Sequence, residues 1–291
     1  MNYASNLEDQ IFLPGKFRSK PMNVAVFVSG GGGNLQAAIS LSKKYPGLVK
    51  IRLVISDRFK IKALEIAKRN KIPFIVKNFD LICGRWAKAK RNAKKSALYN
   101  KCTQGLHDEI LQEILAFEVR NNLKIELIVL SYHRWVHGRL LKHFARRIIN
   151  QHAGDLTIMK EGNLKKRKYI GINPVYDALR SGEPHTRTST FLVRYGKDSG
   201  EILCRGPIVK YEGPKPVTRQ SSWAHEVRQK RLSDWPSLQF AIYSLARGYF
   251  SLSRKKLHPD DNRLIYYQGW PMPYGGINLD QLHQYKYDSP Y

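Results

Sequence analysis

Two polar residues two positions apart, Asn150 and His152, end the apolar, β-prone run Arg147-Ile148-Ile149-Asn150-Gln151-His152. If that run is a strand, the two side chains project to the same side. An asparagine amide can donate a hydrogen bond to an oxygen that gains charge, and a neutral imidazole can take or give a proton near pH 7. Acyl-group transfer needs both operations at one carbonyl. An Asn-x-His pair also occurs in ordinary polar loops, so its meaning depends on what accompanies it.

A second chemistry-bearing stretch lies near the start. Asn23-Val24-Ala25-Val26-Phe27-Val28 is a short apolar run that stops at Ser29-Gly30-Gly31-Gly32-Gly33, and Asn34-Leu35-Gln36-Ala37-Ala38-Ile39 then opens a helical pattern. Where a glycine-rich turn enters a helix, free N–H groups and the helix dipole make an anion site. The spacing is not that of a dinucleotide fingerprint. A third glycine would fall at Leu35 or Gln36, although Asp57 could stand for the ribose-binding acid. No Gly-Lys-Ser/Thr follows, which excludes a P-loop. A monophosphate cradle of Gly32, Gly33 and Asn34 fits, with a ligand-free tight turn as the alternative.

The surrounding pattern says what positions these groups. Ile51–Ile55 reads as a strand, Ala63–Asn70 as a helix, and Ile72–Val76 as a strand. Helical periodicity over His107–Asn121 puts Ile110, Ile114, Leu115 and Val119 on one face, and the fully apolar run Ile125–Leu130 follows. This β-α-β-α rhythm predicts an α/β fold whose mostly parallel sheet carries helices on both faces. Beyond His152 the rhythm changes. Pro174–Leu179 reads as a helix, and Thr188–Val193 with Ile202–Val209 as paired strands around the turn Gly196-Lys197-Asp198-Ser199-Gly200. Ala224–Arg247 reads as a long helix interrupted by Asp234-Trp235-Pro236, and Leu264–Tyr267 as short β structure in a small C-terminal β/helix extension. The pattern lapses over the Lys/Arg-rich stretch Leu81–Asn100, an insertion at about 81–104. Within it, Arg85–Lys101 is expected to be mobile and dispensable for chemistry. The boundaries are an N-terminal extension at 1–21, one domain at 22–278, and a tail at 279–291.

A chain of 291 residues with 42% hydrophobic content can bury one large core, alone or with a small appendage. No apolar run is long enough to span a bilayer, so no membrane partner is expected. Met1–Pro21, with Glu8 and Asp9, does not read as a secretory signal. The three cysteines, Cys83, Cys102 and Cys204, lack metal-like spacing and are expected to be free thiols in a reducing, cytoplasmic setting. No ligand cluster for a metal is legible. The net charge is +27, concentrated in Arg58–Lys101 and Arg139–Lys168, including Lys165-Lys166-Arg167-Lys168. Such a face could bind nucleic acid. Its sparse aromatic interleaving favours instead a solvated basic face that attracts a polyanionic small substrate.

Taken together, Ser29-Gly30-Gly31-Gly32-Gly33-Asn34-Leu35-Gln36, Asn150-Gln151-His152 and Asp198-Ser199-Gly200 resemble the signature of folate-dependent formyltransferases, over roughly Met22 to Ile277. The resemblance implies a Rossmann-like fold and transfer of a formyl group from 10-formyltetrahydrofolate to an amine, without a metal. The leading acceptor it implies is the phosphorylated amine glycinamide ribonucleotide. A sugar-nucleotide amine, methionyl-tRNA, or a non-catalytic nucleotide- or nucleic-acid-binding role are the alternatives. By resemblance, Asn150 would hold the formyl oxygen, His152 would be the acid/base group, and Asp198 would pair with it and raise its pKa. Gly32, Gly33 and Asn34 would bind the substrate phosphate, and the backbone of His133, Arg134, Trp135 and Val136, with Asn150, would meet the folate. Three departures concern the acceptor. Ala153-Gly154-Asp155-Leu156 replaces the usual Ser-Leu-Leu-Pro, and Thr190-Phe191 stands where the purine-synthesis branch has a second histidine. Lys230–Pro236 offers a base where that branch has a ribose-binding glutamate.

Overall fold

The computed structural model describes residues 9–14, 21–284 and 290, so the rest of the N-terminal extension and of the C-terminal tail lies outside the described residues. At its centre, among the described residues, is a sheet of eight strands. Their spatial order is Ile277–Asn278, Ile202–Arg205, Ser189–Leu192, Ile148–His152, Leu127–Ser131, Met22–Val28, Val49–Ser56 and Phe74–Val76. The five from Ile148–His152 to Phe74–Val76 are parallel, and Ser189–Leu192 is antiparallel to both of its neighbours. Continuous apolar sequence makes the middle strands suited to burial on both faces. From Met22–Val28, Val24, Val26 and Val28 pack against Leu35, Leu41 and Leu238, whereas Ala25 and Phe27 pack against Ile110, Ile114 and Phe144. Helices therefore cover both faces, as the β-α rhythm predicts.

Met22–Val28 lies between Leu127–Ser131 and Val49–Ser56, so the winding of the sheet reverses beside it. A crevice opens at such a reversal, outside the carboxyl ends of the strands. The two loops that leave there are tied together. The Ser29 N–H donates to the Ser131 carbonyl at 3.1 Å, and the His133 N–H donates to Ser29 Oγ at 2.9 Å. The glycine loop and the segment 133–136 thus share one edge of the sheet.

Several expectations need correction. The basic insertion is largely helical: the helices Phe79–Ile82 and Trp86–Ala89 and the start of a helix over Ala93–Arg120 run through it. That long helix continues the buried face of Leu106, Ile110 and Ile114 backward through Thr103 and Tyr99, apolar positions too sparse to register as periodic. Its phase also differs from the expected one. Leu111 and Phe117 join the buried stripe, while Val119 is 78% exposed. Two of the three cysteines are not free thiols. The fold of the insertion brings Cys83 and Cys102 to a Cα separation of 5.6 Å, where they form a disulfide. Cys204 remains free and buried, and burial pushes its thiol up to about 12.

The late helix is not broken at Asp234-Trp235-Pro236. Arg219–Gln229 passes through a π-helical turn, Lys230–Asp234, into Trp235–Ala246, and Pro236, which has no N–H to give to the preceding turn, directly follows that locally widened turn. The expected run Ile202–Val209 divides into Ile202–Arg205 in the main sheet and Val209–Lys210 paired with His185–Thr186. A second sheet of Gln10–Phe12, Phe250–Leu257, Arg263–Tyr267 and Trp270–Pro271 is antiparallel throughout. It joins an N-terminal strand to the C-terminal extension.

Candidate active site

Ile148–His152 alternates as a strand should. Ile149 faces the core formed with the Trp235–Ala246 helix, and Ile148 faces the opposite core, which includes Leu140 and Phe144. Asn150 and His152 follow Ile148 to that second side, whereas Gln151 points the other way and donates to the Asp234 carbonyl and to Ser237 Oγ at 3.3 Å. Asn150 is half-buried and His152 is buried.

The turn between Ser189–Leu192 and Ile202–Arg205 brings Asp198 to the imidazole, with Oδ1 lying 3.6 Å from His152 Nδ1. Asp198 Oδ2 accepts the Gly171 N–H at 2.7 Å, and Asp198 itself is left-handed, at φ 47°. His152 Nε2 is 2.7 Å from the Tyr169 carbonyl. A carbonyl oxygen only accepts, so Nε2 carries the proton in this arrangement. Nδ1 faces the Asp198 carboxylate at a distance too long for a hydrogen bond in this arrangement. Burial holds the imidazole below its ordinary pKa, against the Asp198 carboxylate and the Tyr169 bond, which both favour the protonated ring. The carboxylate pushes in the expected direction, and burial outweighs it.

At the neighbouring edge, Gly32 is left-handed at φ 78° and precedes the helix Gly33–Lys44. The first N–H groups of a helix have no intrahelical partner, and no side chain caps this one. A Cβ built on Gly33 would lie 3.2 Å from the Trp235 indole nitrogen, which puts that indole beside the helix N-terminus. Sequence reasoning attached no role to Trp235. In the segment 133–136, Val136 is buried and Trp135 is 65% exposed. The Arg134 side chain is fixed behind the backbone, donating to Asp57 Oδ2 at 2.7 Å, Asp80 Oδ1 at 2.7 Å and the Tyr99 hydroxyl at 2.8 Å. Asp57 is thus a buried partner of Arg58 and Arg134. Burial pushes its carboxyl up, but the two guanidinium hydrogen bonds outweigh that and hold it below its ordinary value. The insertion contributes directly here, since Tyr99 holds Arg134 and Trp86 lies 6.5 Å from Trp135.

The fold therefore gathers Asn150, His152 and Asp198 at one strand end, and ties Gly32, Gly33 and Asn34 to His133–Val136 through Ser29 at the adjacent ends. Sequence reasoning missed Tyr169 and Gly171, whose backbone atoms touch His152 and Asp198, and it missed Arg167. The only trace of Arg167 was the run Lys165-Lys166-Arg167-Lys168, which reads as solvated charge, yet Arg167 is 7% exposed.

The chain is thus a doubly wound α/β sheet with an amide, an imidazole and a carboxylate gathered at one strand end. Residues 22–210 match the formyl transferase family, and the chain belongs to it. The phosphoribosylglycinamide formyltransferase of Haemophilus influenzae is 26% identical over 257 residues, covering 87% of this chain and 97% of that one. The Escherichia coli K12 protein of the same name is 24% identical over 264 residues, covering 89% and 100%. In fold, the chain is similar to the solved phosphoribosylglycinamide formyltransferase of Coxiella burnetii. The TM-score is 0.61 at 23% identity, over 89% of this chain and 99% of that one.

Proposed function

We propose that this enzyme transfers the formyl group of 10-formyltetrahydrofolate to the amine of glycinamide ribonucleotide. The observation that carries the reading is the same-face pair Asn150 and His152 with Asp198 3.6 Å from the ring. The acceptor nitrogen attacks the formyl carbon, and the carbonyl oxygen becomes an alkoxide that the Asn150 amide N–H stabilises. The C–N bond to the folate then breaks, the folate nitrogen takes a proton, and the acceptor nitrogen gives one up. His152 carries these protons, with Asp198 favouring its protonated form. For that, Nε2 has to leave the Tyr169 carbonyl, so the segment after Arg167 moves or the ring turns before substrate is engaged. The substrate phosphate sits on the N–H groups at Gly32, Gly33 and Asn34, with the Trp235 indole as a further donor. The folate lies along the backbone of His133–Val136. The relatives' names and their near full-length coverage support this acceptor. On this reading the protein works in the cytoplasm, where the Cys83–Cys102 bond is open to reduction.

A second acceptor is favoured by one observation. The segment Lys230–Pro236, in which Lys230 pairs with Glu226 at 3.5 Å, offers a base where the family resemblance puts an acid, so an amine with further anionic groups, such as a sugar nucleotide or methionyl-tRNA, is the runner-up. Incubating the protein with 10-formyltetrahydrofolate and each amine in turn, and following release of tetrahydrofolate, tests both. Release with glycinamide ribonucleotide supports the first reading, and release only with another amine replaces it. Absence of release with any amine, in a protein that binds the folate, refutes transferase activity.

A further inference from the structure

Arg167 is the buried member of the chain's most basic run. Its Nη1 donates to the Asp198 carbonyl at 2.7 Å, and its Nη2 to the Gly200 carbonyl at 2.7 Å and to Asp260 Oδ2 at 2.8 Å. Its Nε lies 3.3 Å from the Tyr274 hydroxyl, which itself donates to Asp260 Oδ2 at 2.9 Å. Asp260 is buried to 3% side-chain exposure and also accepts from the Asn262 amide at 2.8 Å. Asp260 and Tyr274 lie outside the family match, which ends at residue 210.

We propose that Arg167 is a positioning residue: its fork, braced by Asp260 and Tyr274 of the C-terminal extension, fixes the turn that presents Asp198 to His152. The turn needs such a brace. Gly196, Asp198 and Gly200 all have positive φ, at 112°, 47° and 115°, so the local sequence leaves it loose and strains it at Asp198. A planar guanidinium that grips two carbonyls two residues apart removes that freedom, as a point-charge ammonium cannot. Beyond Arg167 the chain continues to the Tyr169 carbonyl on His152 and the Gly171 N–H on Asp198. One anchor therefore sets three contacts of the pair.

The inference rests on reading Asp198 and His152 as the acid/base pair, so its test has a readout independent of turnover. The charged groups around the imidazole are Asp198, which favours its protonated form, and Arg167 and Lys197, which oppose it. Arg167→Lys keeps the charge and loses the fork. The measurement is the NMR titration of His152 in wild type, Asp198→Asn, Arg167→Lys and the double variant, with kcat and acceptor KM beside it. Positioning predicts that Arg167→Lys moves the His152 midpoint down toward that of Asp198→Asn. It also predicts that kcat falls by at least about tenfold at similar acceptor KM, and that the double variant loses little more than Asp198→Asn alone. A wild-type midpoint and kcat in folded Arg167→Lys, with only its melting temperature lowered, would overturn the proposal and leave the pair intact. If Asp198→Asn itself leaves the midpoint unmoved, the pair falls and the clamp with it. Should Arg167→Lys not fold, the charge-neutral Tyr274→Phe loosens the same brace, and a smaller shift in the same direction is required of it.

Discussion

Gly32 is where one added methyl should cost most. An alanine at φ 78° sits in the left-handed region, at about 1–2 kcal/mol. Its Cβ would also lie 2.9 Å from Ala63 Cα and 2.9 Å from Ile66 Cδ1. The isoleucine tip can yield, but Ala63 Cα is backbone in the helix Lys62–Arg69, and its N–H is tied to the Gly30 carbonyl at 3.2 Å. Overpacking of that kind adds about 1–3 kcal/mol. Gly32→Ala is therefore expected to lose about 2–5 kcal/mol of a total near 5–15 kcal/mol, read as a fall in urea midpoint with the slope unchanged. The control is Gly31→Ala, where a Cβ meets no atom within 4 Å. That change should stay within about 0.5 kcal/mol of wild type. A Gly32→Ala protein within about 1 kcal/mol of wild type, or a Gly31→Ala protein equally destabilised, would refute the account of this loop as wedged against the second helix.

Asn150→Ala should raise the transfer barrier by about 2.7–4 kcal/mol, read as kcat in a protein with wild-type circular dichroism; near-normal turnover would remove the amide from the mechanism. His152 is held below the ordinary imidazole value, so the unfolded chain binds more protons between the two values. Its share of stability is full above pH of about 6.5 and falls as pH drops through the folded value. Asp198→Asn should shift the His152 limb of the pH–rate profile to lower pH, and an unshifted limb counts against the pair. Asp234 is buried, and burial pushes its carboxyl up to about 6 against a hydrogen bond from Thr188, so its contribution to stability is present at low pH and lost as pH rises through that value. Asp234→Asn should accordingly gain stability over wild type at pH 8 and none at pH 4 in paired urea titrations. Alkylation of the native protein should label Cys83 and Cys102 only after reduction and Cys204 only after unfolding. Because the bond closes a loop of 19 residues, reduction should cost about 3 kcal/mol.

Local sequence carried the parts of this protein that depend on local physics. The apolar run before Ser29 reads, within the β-α rhythm, as a strand of a sheet covered on both faces. The glycines that stop it mark a helix entry, and the i, i+2 spacing of Asn150 and His152 puts both on one side of a strand wherever that strand lies. The turn holding Asp198 was legible because glycines bracket it. The family signature joined these pieces before any contact was known.

Tertiary structure decided what local pattern does not encode. Tyr99 and Thr103 looked like strays in a basic excursion, yet they continue a helix face whose other members begin at Leu106, and the long helix forms because that face has a core to meet. Cys83 and Cys102 became partners because that helix folds back beside the segment carrying Cys83, a proximity no spacing rule implies. Arg167 was one of four basic residues in a run, and only the approach of Asp260, 93 residues later, makes it a buried cation. The pKa of His152 was open for the same reason. The sequence supplies the carboxylate that raises it, but the degree of burial that lowers it is a property of the assembled fold.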